Sequence, residues 1–324
     1  MAKYEPPFTM TDNILNTAIE ISELVGEISG HGNLDSNPKL RRDNRIKSIH
    51  SSLAIENNTL TLEQVTDVIN GIRVLAPPQD IKEVKNAYEA YEKMMELNPY
   101  SINDLLEGHR IMMADLVQEA GRFRSGNVGV FAGDKLIHAG SPAKYVPSLI
   151  DDLFKWIEAS SLPMVVKACI FHYEFEFIHP FADGNGRMGR LWNTLLLSTW
   201  KPVFAWLPIE SMVHEHQQEY YNAIEESTKN NDCSFFVDFI LENILNTLTY
   251  LKKNTKENTK ENTKEIQLKI KELMIAHPEM TAREMANELQ CSINKIDYHI
   301  RYMRERKIVA REGATKKGRW VVIK

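Results

Sequence analysis

Between Val165 and Leu197 two apolar stretches meet at one polar loop, and this junction constrains the fold more than any other part of the chain. Val165 to Phe177 is rich in apolar and aromatic residues and lacks Gly and Pro, which predicts a buried helix. Leu191-Trp192-Asn193-Thr194-Leu195-Leu196-Leu197 resumes as a second. Between them stands Ile178-His179-Pro180-Phe181-Ala182-Asp183-Gly184-Asn185-Gly186-Arg187-Met188-Gly189-Arg190. A loop that opens into a helix gathers unpaired backbone N–H groups and a positive dipole end at one point, which suits a phosphate. Gly184 and Gly186 carry no Cβ and let the backbone approach a ligand closely. Arg187 and Arg190 are three apart, so they share a helix face and can grip further phosphate oxygens. Asp183 is a hard oxygen ligand for Mg²⁺, which binds nucleotides through one or two carboxylates plus phosphate oxygens. His179, at the far lip, is the general base expected near neutral pH.

The run His-Pro-Phe-x-Asp-Gly-Asn-Gly-Arg-x-x-Arg resembles the signature of the Fic family, whose members mostly transfer AMP from ATP to protein hydroxyl groups, and every defining position is present. The resemblance implies a mainly α fold, a Fic-type helical domain with a short β-hairpin flap. It also implies ATP and Mg²⁺, with Asp183 on the metal and His179 as base. The phosphates would lie on Gly184 to Gly186, Asn185 would orient the α-phosphate, and Arg187 and Arg190 would hold the β- and γ-phosphates. The acceptor would be a Ser, Thr or Tyr hydroxyl of a target protein or of the chain itself. Ser52 and Glu56 are four apart on a helix expected over about 41–57, so both project from one face. Their Ser-x-x-x-Glu-Asn spacing resembles the Fic inhibitory motif, in the subclass that carries it N-terminal to the core. There the Glu pairs with the second signature arginine, here Arg190, and turns the α-phosphate away from attack. Val128 to Phe131 and Leu136 to His138 flank Gly133-Asp134 and read as a hairpin. In the family such a flap pairs by backbone with the target, which points to Val128, Gly129, Val130, Ile137 and His138. Residues around Tyr220 and Tyr221 line the nucleoside pocket in the family.

The rest of the chain sets the limits. A length of 324 residues suits one large and one small domain, and a net charge of −5 gives no whole-chain case for nucleic acid. Cys169, Cys233 and Cys291 are few, odd in number and far apart, which reads as reduced thiols without zinc spacing. No signal peptide is visible and no stretch of about 18 apolar residues occurs, so the expectation is a cytoplasmic protein with no membrane contact. Residues 1–253 are expected to form the Fic domain. Asn254 to Glu265 repeats Asn-Thr-Lys-Glu three times without an apolar residue, a solvated linker or an exposed helical extension.

Residues 266–324 read as three helices and a hairpin, resembling a winged helix-turn-helix (α+β) module. From Cys291 on, ten Lys and Arg face only Asp297, Glu305 and Glu312, which suits a phosphate backbone, although such modules also serve in dimerisation. Periodicity predicts helices over about 11–29 with Leu15 and Ile19 inward, over 79–98 with Met95 inward, and one helix after Pro208 carrying His214, His216, Tyr220 and Tyr221. His172 is expected as a core histidine. Three other readings stay open: a nucleotide-sensing DNA-binding regulator, a different nucleotide donor such as UTP or GTP, and removal of AMP.

Overall fold

Capping side chains set four helix starts in the first half of the chain. The computed structural model describes residues 4–30, 37–132, 135–313 and 318–323. Helix α1 spans Asp12–Gly30, and Thr11 Oγ1 accepts from the Ile14 N–H at 3.1 Å. Its buried stripe is Ile14, Ala18, Ile21, Leu24 and Val25, while Leu15 and Ile19 face solvent, contrary to expectation. Helix α2 (Pro38–Ile55) starts earlier than the expected Arg41 because Asn37 caps it and Pro38 pre-sets the first turn. Helix α3 (Leu62–Ile69) has a complete capping box of Thr61 and Gln64. Helix α4 (Pro78–Lys93) tightens into a 3₁₀ turn at Met94–Glu96, which buries Met94 and leaves Met95 half-exposed. Helix α5 (Ile102–Met112) starts at the Ser101 cap.

Strands β1 (Gly129–Ala132) and β2 (Lys135–Ala139) pair antiparallel, with an irregularity between Val130 and Phe131. The Gly133-Asp134 turn lies outside the described residues. Helix α6 (Val146–Ala159) leads into α7 (Met164–Ile178) and α8 (Asn185–Trp200), the most buried pair. Phe171, Phe175, Leu191 and Trp192 are wholly buried, and the Trp192 indole donates to the Pro99 carbonyl at 3.1 Å. The single helix expected after Pro208 is two, α9 (Ile209–Glu215) and α10 (Gln217–Asn230). The break is at His216, whose Nδ1 caps the Met212 carbonyl at 2.9 Å.

Helix α11 runs over Ser234–Ala276, so the Asn-Thr-Lys-Glu repeats are helical. The chain divides into two units within this helix, Met1–Tyr250 and Leu251–Lys324. In the second unit α12 (Ala282–Glu288), α13 (Ile293–Glu305) and the antiparallel strands β3 (Val309–Glu312) and β4 (Arg319–Val322) enclose Ile270, Met274, Met285, Ile296, Met303 and Trp320. No described helix is long and apolar enough to cross a membrane.

Candidate active site

The loop joining α7 to α8 is held by three residues that the sequence reading did not single out or did not place correctly. His179 closes α7 in the left-handed conformation (φ 54°, ψ 64°), its N–H donating to the Phe175 carbonyl at 2.9 Å, and Pro180 prevents the helix from continuing. Arg124 is buried and donates to the carbonyls of His179 (2.6 Å), Gly126 (2.7 Å), Ile178 (3.3 Å) and Ser141, while its own N–H reaches the Pro180 carbonyl at 3.0 Å. A guanidinium satisfied by carbonyls alone acts as a clasp, here between the α7–α8 loop and the base of the hairpin. His109 stacks on Phe181 at 3.6 Å, its Nε2 donates to the Asp183 carbonyl (3.0 Å), and its Nδ1 accepts from the Gly121 N–H (2.9 Å). Burial pushes this imidazole down to about 4, so it stays neutral in the tautomer the loop requires.

Asn185 is the third clasp. Its Oδ1 accepts from the Phe181 N–H at 2.8 Å and its Nδ2 donates to the Phe181 carbonyl at 2.9 Å. The side chain expected to orient a phosphate is therefore turned into the loop, because closing so short a turn leaves two backbone groups for it to satisfy. Gly184 has φ 83°, and a Cβ there would stand 2.6 Å from the Met113 sulfur, so both backbone and space demand glycine.

The first turn of α8 presents the N–H groups of Asn185, Gly186 and Arg187, which have no intrahelical acceptor. The Gly184 N–H is already used by Asp183 Oδ1 at 2.6 Å. Arg187 is nearly wholly buried, with Nη2 3.1 Å from Asp183 Oδ1 and Nη1 3.5 Å from Glu83 Oε1. Arg190 donates through Nε to Ser52 Oγ (3.0 Å) and through Nη2 to the Ser52 carbonyl (2.9 Å) and Glu56 Oε1 (2.7 Å). Burial alone would push its guanidinium down, yet the Glu56 charge and bond, with Tyr220 and Glu176 nearby, hold it above its ordinary value. Glu56 is the C-cap residue of α2 rather than part of the helix. A Cβ on Gly186 would clash with Glu56 Oε1 and stand 2.9 Å from Arg190 Nη1. The carboxylate thus lies against the N-terminus of α8, where a negative group gains most.

The His179 ring presents one nitrogen free of a protein partner among the described residues. Its Nδ1 lies 3.3 Å from the Glu176 carbonyl, which can only accept, so Nδ1 carries the proton and the Nε2 lone pair is available. Burial pushes the ring below its ordinary value despite the opposing charge of Glu176. Behind it, burial works to raise the Glu176 carboxyl, but His172, His179 and Arg190 hold it below the usual range as a carboxylate. His172 is buried, 3.3 Å from the Tyr220 hydroxyl.

Tyr220 is a core residue, not the lining of an open pocket. Its buried ring meets Tyr221 edge-on at 5.6 Å and packs on Phe236. Helical periodicity puts neighbouring tyrosines on different faces, and only Tyr221 is half-exposed. Gln217 donates to the Tyr221 hydroxyl (3.3 Å) and to the Ile55 carbonyl (2.8 Å), which ties α10 to the end of α2. At the hairpin, Gly140 donates to the Val128 carbonyl at 3.0 Å, and a Cβ on Gly140 would lie 3.3 Å from His179 Cβ. Val128 and Gly129 are half-buried at this base. Val130 pairs with His138 and Gly129 with Ala139, but the side chains of Val130, Ile137 and His138 lie outside the described ones. Asp183 is 57% exposed, and among the described residues no cluster of three or more acids, histidines or cysteines could hold a metal. This donor set fits a metal that arrives with most of its ligands, as magnesium does on a nucleotide.

A Fic/DOC family model matches residues 99–197. The protein adenylyltransferase fic-1 of Caenorhabditis elegans is 31% identical over 221 residues, which cover 63% of this chain and 41% of that protein. The protein adenylyltransferase Fic of Aedes aegypti is 28% identical over 230 residues, covering 66% and 44%. The chain therefore spans about two fifths of the length of these curated relatives. Among solved structures, a Fic family protein from Desulfovibrio desulfuricans G20 is 39% identical over 98% of both chains, with a TM-score of 0.76. A fragment of Fic-1 from C. elegans shares the fold, with a TM-score of 0.60 at 22% identity over 76% of this chain and 73% of that one.

Proposed function

Because the chain belongs to the Fic family, we propose that it is a protein adenylyltransferase that transfers AMP from ATP to a Ser, Thr or Tyr hydroxyl, on itself or on a target protein. The observation that carries this reading is the Glu56 carboxylate lodged against Gly186 and Arg190: a negative group already sits where a phosphate would. ATP displaces it and lays its phosphates on the free N–H groups of Asn185, Gly186 and Arg187. Arg187 and Arg190 then offset the charge that grows on the leaving pyrophosphate. His179 Nε2 takes the hydroxyl proton, the oxygen bonds to the α-phosphorus, the bond to the β-phosphate oxygen breaks and pyrophosphate leaves. Asp183 would hold magnesium, which supplies charge neutralisation on the phosphates. Arg124 and His109 do no chemistry; they fix where His179 and the α8 N-terminus stand.

On the same reading α2 is an inhibitory element and β1–β2 a flap whose edge registers an extended target segment. Wild type and Glu56→Gly should be incubated with ATP, UTP and GTP and read by intact mass. A mononucleotide adduct in Glu56→Gly, strongest with ATP, is expected; absence of any adduct would overturn the assignment.

A second reading is favoured by charge. From Leu251 on, 18 basic residues face ten acidic ones, and Lys295, Tyr298, Arg301 and Arg304 are exposed on α13. The second unit then acts as a winged helix that contacts DNA phosphates while the Fic domain senses nucleotide. Gel shift on genomic fragments with and without ATP tests it; no retardation at low salt would remove it.

A further inference from the structure

Arg190 and Arg187 are both buried, and each needs a counter-charge when no nucleotide is present. Arg190 has Glu56, on a segment outside any helix: α2 stops at Ile55, Glu56 is only its cap, and Asn57 is left-handed (φ 67°). Arg187 has Asp183 and Glu83, and Glu83 stands on α4, whose Val84 and Ala87 are locked in the core. The Glu83 carboxylate is divided between two tasks. Oε1 faces Arg187 Nη1 at 3.5 Å, while Oε2 accepts from Asn58 Nδ2 at 2.9 Å. Asn58 lies two residues beyond Glu56. Its Nδ2 also reaches the Asp80 carbonyl (3.2 Å), and Thr59 bonds Asp80 Oδ2 through N–H (3.0 Å) and Oγ1 (2.6 Å). The first turns of α4 thus grip the chain immediately after Glu56.

We propose that Glu83 is a positioning residue for both arginines: it aims Arg187 directly and, through Asn58, holds the segment that keeps Glu56 on Arg190. This rests on the adenylyltransferase reading for its consequence in activity, but the latch itself is a property of the folded chain. A charge-assisted bond to a half-buried carboxylate sets the scale, so losing it loosens the segment by about tenfold. Glu83→Gln keeps an acceptor for Asn58 and removes the charge from Arg187; Glu83→Ala removes both.

Hydrogen exchange without nucleotide reads the latch alone. Amides of residues 56–60 should exchange about tenfold faster in Glu83→Ala and within about threefold of wild type in Glu83→Gln. Self-labelling with ATP should rise in Glu83→Ala, Glu83→Ala should add nothing to the gain of Glu56→Gly, and KM for ATP should rise in Glu83→Gln, where Arg187 loses its counter-charge while the latch holds. Unchanged exchange in Glu83→Ala, or equal loosening in the two variants, would overturn the proposal. Loosening in Glu83→Ala alone, with no adduct in Glu56→Gly or any variant, would leave the latch standing and sink the enzyme reading instead.

Discussion

Glu56→Gly should make the protein less stable when empty and more active when supplied with ATP. In the empty protein Arg190 has three bonds, two to Ser52 and one to the Glu56 carboxylate at 2.7 Å. Removing the carboxylate leaves a buried guanidinium with neutral acceptors only, which costs about 3 kcal/mol, the low end for breaking a buried pair. For a unit of this size that is roughly 6–12 °C in melting temperature. Nucleotide must break the same charge-assisted bond before its phosphate reaches Arg190. Glu56 is 31% exposed, so solvent takes part of its strength and about 2 kcal/mol remains, or roughly 30-fold in apparent affinity. Scanning fluorimetry with and without ATP·Mg²⁺, calorimetric titration and intact-mass labelling measure the three quantities. The expected pattern is a lower empty melting temperature, a larger upward shift with ATP, and about 30-fold tighter binding with faster labelling. An unchanged empty melting temperature together with a gain below threefold would refute the claim that Glu56 and a phosphate compete for Arg190.

His179→Ala should abolish labelling while ATP still binds; retained labelling would remove the imidazole as base. In Glu56→Gly the labelling rate should rise with pH through a midpoint below about 6.5 and then level, because burial holds the His179 ring below its ordinary value. His109 gives a stability signature. Its folded value is about 4 against roughly 6.5 unfolded, so as pH falls from 6.5 to 4 the unfolded chain takes up a proton the native state refuses. About 3 kcal/mol should be lost across that window, and His109→Gln should flatten it in urea titrations at pH 7 and 4.5. Gly186→Ala should eject the Glu56 carboxylate yet give no gain in labelling, since its Cβ fills the seat; a gain matching Glu56→Gly would show that the phosphate lies elsewhere.

The parts of the site written in consecutive residues were legible beforehand. The loop from His179 to Arg190, the helices on either side, and the Ser52–Glu56 spacing are local patterns, and local backbone geometry follows from them. Arg124 and His109 were not legible. Their partners are His179 and Asp183, 55 and 74 residues away, and no periodic or turn signal links such positions. Asn185 shows the converse: the motif marks the residue, but only packing reveals that its amide closes the loop. Periodicity put Leu15 and Ile19 on the wrong flank of α1, whereas Tyr220 and Tyr221 were named from the family resemblance and only packing separates them, one buried and one half-exposed. A helical stripe has a centre and two flanks, and the neighbouring helices decide which flank is covered.

By itself, then, the amino-acid order determined where backbone donors gather without an intrahelical acceptor, because a glycine-rich turn into a helix makes free N–H donors in any tertiary setting. Only the folded structure set the Glu56 carboxylate against those donors, a pairing that the sequence suggested through family resemblance alone. Glu56 and Arg190 are 134 residues apart, and their meeting depends on how α2, α4 and α8 pack together.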